Sequence, residues 1–143
     1  MLEVSKKSFH HKNLRGALKQ AARELIVTGQ EHSLRAASRM CGVSATASYR
    51  HFDDKRDLFG EVAKEDLAEL EAVVRNAPGA EIAYVEWAIS NRARFAHAVV
   101  AGHEHMDAFT EIFGSRWPAI HGAASLAAEG LISIEQALAS VSP

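Results

Sequence analysis

The sequence predicts an all-α protein. Alanine is abundant, only three prolines occur, and β-branched runs are few, a composition that favours helix over strand. Apolar residues also recur at three- and four-residue spacing, which places them on single helical faces. At 143 residues the chain can bury a real core, either as one compact domain or as a small domain with an appended bundle.

The elements follow in order. Residues 1–12 are polar and basic and read as a flexible arm. Asn13 is placed to cap a helix running to about Val27, with Leu14, Leu18, Ala21, Ala22 and Leu25 on its inner face. Thr28-Gly29-Gln30-Glu31 ends it with a glycine C-cap and a polar loop. Ser33 suits the N-cap of a second helix, whose Leu34, Ala37 and Cys41 form one apolar face. Gly42 tolerates positive φ and allows a sharp turn. Val43 then plugs the core and Ser44 caps a third helix, while Ala45, Thr46 and Ala47 leave the front of that helix nearly bare. Its backbone could therefore lie close against a DNA groove. Two short helices around a tight turn are the pattern of a helix-turn-helix that reads DNA, although an ordinary helical hairpin shares it.

Asp53 or Asp54 caps a long fourth helix through about Arg75, with Leu58, Phe59, Val62, Leu67, Leu70 and Val73 as its apolar positions. At ~1.5 Å per residue it spans roughly 30 Å, enough to link a head to a separate body. Asn76-Ala77-Pro78-Gly79 is the clearest boundary. The expected organisation is a head over 1–53, a linking helix over 54–76 and a C-terminal helical body over 80–143. Within the body, helices are expected from Ala80 to about Ser90 and from Asn91 to about Ala101. A final long helix begins near Pro118, since proline is tolerated in a first turn, and continues from Ala119 to Val141. That strip is dominated by Ala, Leu, Ile, Ser and Gly, which suits close helix packing. It reads as half of a four-helix dimer interface, with Trp117, His121, Gly122, Leu126, Leu131, Ile134 and Leu138 as candidate interface residues. Burial within one subunit would give the same periodicity.

The net charge of −2 hides an asymmetry: residues 1–60 carry 11 Lys/Arg against 6 Asp/Glu, and residues 61–143 carry 5 against 12. A basic N-terminal unit joined to an acidic remainder is the footprint expected when one end meets phosphates. The single cysteine, Cys41, excludes an internal disulfide, and its position favours a buried small hydrophobe. No signal peptide and no apolar run long enough to span a bilayer is evident, so a cytoplasmic protein without membrane contact is expected.

Tyr49-Arg50-His51-Phe52-Asp53-Asp54-Lys55 resembles the Tyr-x-His-Phe-x-x-Lys signature of the tetracycline-repressor (TetR) family of transcription regulators. Phe9-His10-His11-Lys12-Asn13-Leu14-Arg15 resembles the lead-in to the first helix in one branch of that family. Trp117-Pro118-Ala119-Ile120-His121-Gly122 resembles the Trp-x-x-x-His-Gly motif of the same branch's C-terminal domain. The N-terminal likeness covers about the first 70 residues.

The resemblance implies a homodimeric, ligand-responsive regulator, by family default a repressor, that binds a palindromic double-stranded DNA operator. It places the third helix in the major groove and the second across the backbone. Ser33 then opens the crossing helix as a candidate DNA contact, and Arg35 near its start meets phosphate or guanine. Ser44, Ala45 and Thr46 match base-reading positions, Tyr49 and His51 match phosphate and sugar contacts, and Lys55 matches a phosphate contact at the linking helix. Arg50 is a further candidate for base contact, and Lys6, Lys7, His10 and Lys12 for contact along the backbone or minor groove. The resemblance also implies a pocket for a small-molecule effector in the body. Tyr84, Trp87, Phe95, Met106, Phe109 and Phe113 are candidates to line it, and each serves equally as plain core. Relatives carry at least one more helix between the Phe95 region and Trp117 than this chain has room for. Either the body is shortened around 101–116, with a smaller pocket, or a segment is missing there and its flanks are false neighbours.

His97, His103, Glu104, His105 and Asp107 are ordinary metal-ligand types, but their spacing matches no ligand pair on one helical face. No metal and no cofactor is expected. No nucleophile–base pair, paired carboxylates or phosphate-binding glycine loop is present, so no enzyme is expected either. A helical dimer that has lost DNA binding and serves as a ligand- or protein-interaction module is the alternative.

Overall fold

In a computed structural model, residues 13–142 are described and are helical, with no strand among them. The basic arm over 1–12, with Lys6, Lys7, His10 and Lys12, lies outside the described residues. Two compact units form, Met1–Ala63 and Lys64–Pro143. Their boundary falls inside a helix rather than at Asn76–Gly79, because one continuous helix buries residues in both.

In the first unit, α1 (Leu14–Val27), α2 (Leu34–Met40), α3 (Ala45–Ser48) and the start of α4 (Lys55–Asn76) enclose one core. Three side chains open helices as their types require. Asn13, Ser33 and Ser44 each accept a first-turn N–H, from Gly16, Ala36 and Ala47. Of the two aspartates before α4, Asp54 is the cap, its Oδ1 accepting from the Asp57 N–H at 2.9 Å. Asp57 reaches back to the Asp53 N–H at 3.0 Å, so both groups are satisfied reciprocally.

Helices α1 and α2 stop by the same device. Gly29 and Gly42 lie at φ 70° and 71°. The Gly42 N–H donates to the Arg39 carbonyl (3.0 Å) and the Val43 N–H to the Ser38 carbonyl (3.0 Å). Gly29 and Gln30 repeat the pair on Ile26 and Leu25. This double bond to the last turn satisfies carbonyls that a helix end otherwise leaves open. Leu18, Ala22, Leu25, Leu34, Ala37, Cys41, Phe52, Leu58 and Val62 fill the core beneath.

The second unit holds the rest of α4, then α5 (Ala80–Ser90), α6 (Arg92–Ala101), a 3₁₀ turn (His103–His105), α7 (Asp107–Phe113), a second 3₁₀ turn (Gly114–Arg116), α8 (Trp117–Ala128) and α9 (Ile134–Val141). Helix α8 packs on α5, α6, α7 and α9, and α9 also meets α5. Between Ala101 and Trp117 there is room only for α7 and the two 3₁₀ turns.

Two expectations are corrected. Near the end of α4 the buried valine is Val74, while Val73 is 38% exposed. The final helix is not continuous from Ala119 to Val141. Gly130, at φ 78°, closes α8 with the same double bond, on Ala127 and Leu126. Ser133 and Gln136 then form a capping box that starts α9. The apolar pattern runs through this break, but the backbone does not.

The Gly42 turn yields a quantitative test. An added Cβ at Gly42 would meet nothing within 4 Å, so only its positive φ opposes a side chain. Gly42→Ala should therefore cost about 1–2 kcal/mol, read as a lower urea midpoint at an unchanged slope.

Candidate nucleic-acid interface

Helix α3 is four residues long and buries fully only Ser48. Ala45 and Ala47 are half-buried, while Ser44 and Thr46 are exposed. Its outer face is therefore backbone, small side chains and the Thr46 methyl and hydroxyl. Beyond it, Tyr49 is 56% exposed, and Arg50, His51 and Lys55 are exposed as well. A tyrosine left in water beside a bare helix has an apolar ring and a polar tip free for a partner. Phe52 instead turns into the core.

The cations of this unit fall into two groups. Arg15 is committed to the fold: it pairs with Glu61, donates to the His51 carbonyl at 2.9 Å, and lies over the Phe52 ring at 4.4 Å. It thereby ties the first turn of α1 to the segment carrying Tyr49 and His51. Arg35, Arg39, Arg50, Lys55 and Arg56 are all exposed and, among the described residues, form no ion pair or side-chain hydrogen bond. Those five positions lie on α2, just after α3, and at the start of α4. Unneutralised positive charge is thus concentrated on the segments that flank α3. Ser33, by contrast, is half-buried, and its hydroxyl is occupied as a cap.

In the second unit, the residues nominated to line a pocket pack on one another. Tyr84 is fully buried and meets Phe95, Phe109, Phe113 and Trp117 edge-on at 5.2–5.8 Å between centroids. Trp117 stacks on Phe109 and Phe113. Edge-to-face and offset arrangements are the favoured ones for such rings. The Tyr84 hydroxyl bonds His121 Nδ1 at 2.8 Å, and His121 Nε2 lies 3.4 Å from Ser125 Oγ. Burial raises the Tyr84 pKa and lowers that of His121, so both are neutral. Met106 is half-buried, outside these ring contacts.

Trp87 belongs to a different cluster. Its Nε1 donates to Glu69 at 3.0 Å, and the Arg94 guanidinium lies over its ring. Arg94 also bonds the fully buried Asp66 at 2.8 Å and Glu69 at 2.9 Å. Burial works against the Arg94 charge, but the bonds to Glu69 and Asp66 outweigh it and raise its pKa.

Of the residues nominated for an intersubunit face, Trp117 and His121 are thus engaged within the chain. Gly122 and Leu126 line an open groove between α8 and α9, together with Pro118, Ala119, Ala123, Ile132, Gln136, Ala139 and Ser140. Leu131 and Ile134 are exposed and Leu138 is half-buried. Among the described residues, no three His, Cys, Asp or Glu side chains come together to hold a metal ion. Nor is any described helix long and apolar enough to cross a membrane.

Sequence reasoning missed the Arg15 tie and the buried polar contacts of Ser38 and Ser48, which join residues 36 and 10 positions apart. The cap signals were local and readable; these partners were not. Comparison with protein-family models, with curated proteins and with solved structures returns no match.

Two measurements follow from the Tyr84–His121 pair. Tyr84→Phe leaves a partly buried imidazole nitrogen without its partner and should cost about 1–3 kcal/mol of unfolding free energy in urea. Because His121 sits below its ordinary value of 6.5, the unfolded chain takes up that proton first. Its contribution is complete above that value and is lost as pH falls below it. His121→Asn should be less stable at neutral pH, with a shallower loss on acidification, measured by urea denaturation across pH.

Proposed function

We propose that the chain is a DNA-binding transcription regulator, most readily a ligand-responsive repressor, whose α2–Gly42–α3 segment is a helix-turn-helix. The observation that carries this reading is the bare, exposed face of α3, flanked by five cations that form no ion pair among the described residues. A helix front of Ser44, Ala45 and Thr46 brings the backbone close to base edges. Arginines and a lysine around it supply the counterion-releasing contacts on which DNA affinity depends. The likeness of Tyr49–Lys55 to the TetR signature supports the same reading.

Within it, Arg35, Tyr49, His51 and Lys55 position the head on phosphates, while Thr46 and Arg50 read bases. So few base contacts give modest specificity per half-site. A dimer on a palindrome, with two heads ~34–36 Å apart, multiplies it. The uncharged α8–α9 groove, lined in part by Gly122 and Leu126, is the surface proposed for the second subunit. An effector acts by binding better to the conformation that does not fit the operator. If it enters among Tyr84, Phe95, Phe109 and Phe113, those rings must part.

A gel-shift against duplex DNA flanking the protein's own gene tests the reading: a retarded, competitor-resistant band is expected, and its absence favours the interaction-module alternative. Lys55→Ala should weaken binding to every sequence and reduce the log–log salt slope by about one. An unchanged slope would remove Lys55 from the phosphate contacts.

A further inference from the structure

Helix α3 has no large apolar side chain to anchor it. Its one fully buried residue is Ser48, and the hydroxyl of Ser48 lies 2.6 Å from that of Ser38, on α2. Both serines are buried, at 0% and 1% exposure. The direction of the contact follows from proton count. A serine hydroxyl carries one hydrogen, and that of Ser38 is used on the Leu34 carbonyl at 2.7 Å. The 2.6 Å contact must therefore be made by the Ser48 proton. Ser48 donates to Ser38, and Ser38 donates to Leu34, in one directed relay across the helix crossing.

We infer that Ser38 and Ser48 are positioning residues for sequence reading. This rests on the DNA-binding function proposed above. The relay, in place of a hydrophobic contact, fixes how far α3 stands from α2 and how it is rotated about its own axis. Apolar packing is non-directional, so a four-residue helix held only by apolar contact would be free to slide. A hydrogen bond fixes distance and angle together. Rotation of α3 is what decides whether Thr46 meets a base edge, whereas phosphate contacts from Arg35 or Lys55, on other helices, tolerate it.

The direction of the relay predicts an asymmetry. Ser38→Ala strands the Ser48 donor in the core, whereas Ser48→Ala strands only an acceptor lone pair on Ser38. The first should lower the urea midpoint more. The double variant strands neither side chain, and removing both partners is far cheaper than removing one, so its midpoint should recover toward wild type.

The test uses the full chain and a duplex selected by it from a randomised duplex library, compared with a scrambled duplex of equal composition at one salt concentration. If the serines position α3, the double variant regains stability, yet its selected-to-scrambled affinity ratio falls by about tenfold, comparable to one mismatched base pair. Affinity for the scrambled duplex should stay within about twofold of wild type, since nonspecific binding is set by the phosphate contacts. A ratio equal to wild type in the folded double variant overturns the inference and leaves the pair as core packing. If the double variant does not fold, Ser48→Ala alone provides the same readout. Failure of the wild-type chain to select any duplex is a different result: it removes the DNA-reading function, and the inference falls with it.

Discussion

Everything in the first unit depends on the chain reversing within three residues at Cys41–Gly42–Val43. Helix α2 must end, and α3 must start, while the buried Cys41 and the half-buried Val43 both remain on the core. A left-handed residue achieves this, because it turns the chain back while its neighbouring N–H groups still reach α2's last carbonyls. Gly42 adopts φ 71° with its own N–H and that of Val43 both used. Helices built from alanine bury little area per contact, so packing alone defines their ends weakly. Glycine at positive φ defines them instead, at Gly29, Gly42 and Gly130 alike.

Arginine then divides between holding the fold and remaining available. Arg15 reaches the His51 carbonyl, Arg92 the carbonyls of Ala127 and Ala128, and Arg116 both Glu81 and the Val141 carbonyl. Each crosses from one element to another, and two of them cover helix C-termini where orphan carbonyls and the negative end of the dipole favour a cation. Half-exposed ties of this kind contribute little singly. Arg94 differs, since its partner Asp66 is fully buried and Glu69 shares the same guanidinium, so removing Arg94 would take the cation from two carboxylates, one of them out of water. Arg35, Arg39, Arg50 and Arg56 make no such bond among the described residues. Two uses of one residue type thus separate by position: Arg15, Arg92, Arg94 and Arg116 join one element to another, and those around α3 stay in water.

Local chemistry was legible in the sequence, and long-range chemistry was not. Asn13, Ser33 and Ser44 cap as their types predict, and Gly29 and Gly42 terminate as expected, because each effect acts within one helical turn. The same class of signal was present at Gly130 and Ser133 but was outweighed by apolar periodicity, which continues across the break. Periodicity also placed Val73 inward where Val74 is buried; over 22 residues of α4 a one-position drift is within its precision. The aromatic residues of the body were identifiable as a group. That Tyr84 centres them, and that Trp87 belongs instead with Arg94 and Glu69, follows from tertiary packing alone.

The distribution of charge in the second unit bears on the α8–α9 groove. Residues 64–143 carry 16 ionisable acidic and basic side chains of the Asp, Glu, Lys and Arg types, and none lines the groove. Placing a second subunit there would desolvate Pro118, Ala119, Gly122, Leu126 and Ile132 without stranding an unpaired ion, which is the chief cost of covering a charged surface. The small side chains would also let helices approach closely. Under the proposed function the geometry of pairing is therefore constrained by electrostatics as much as by shape: the α8–α9 groove can be closed without first being neutralised.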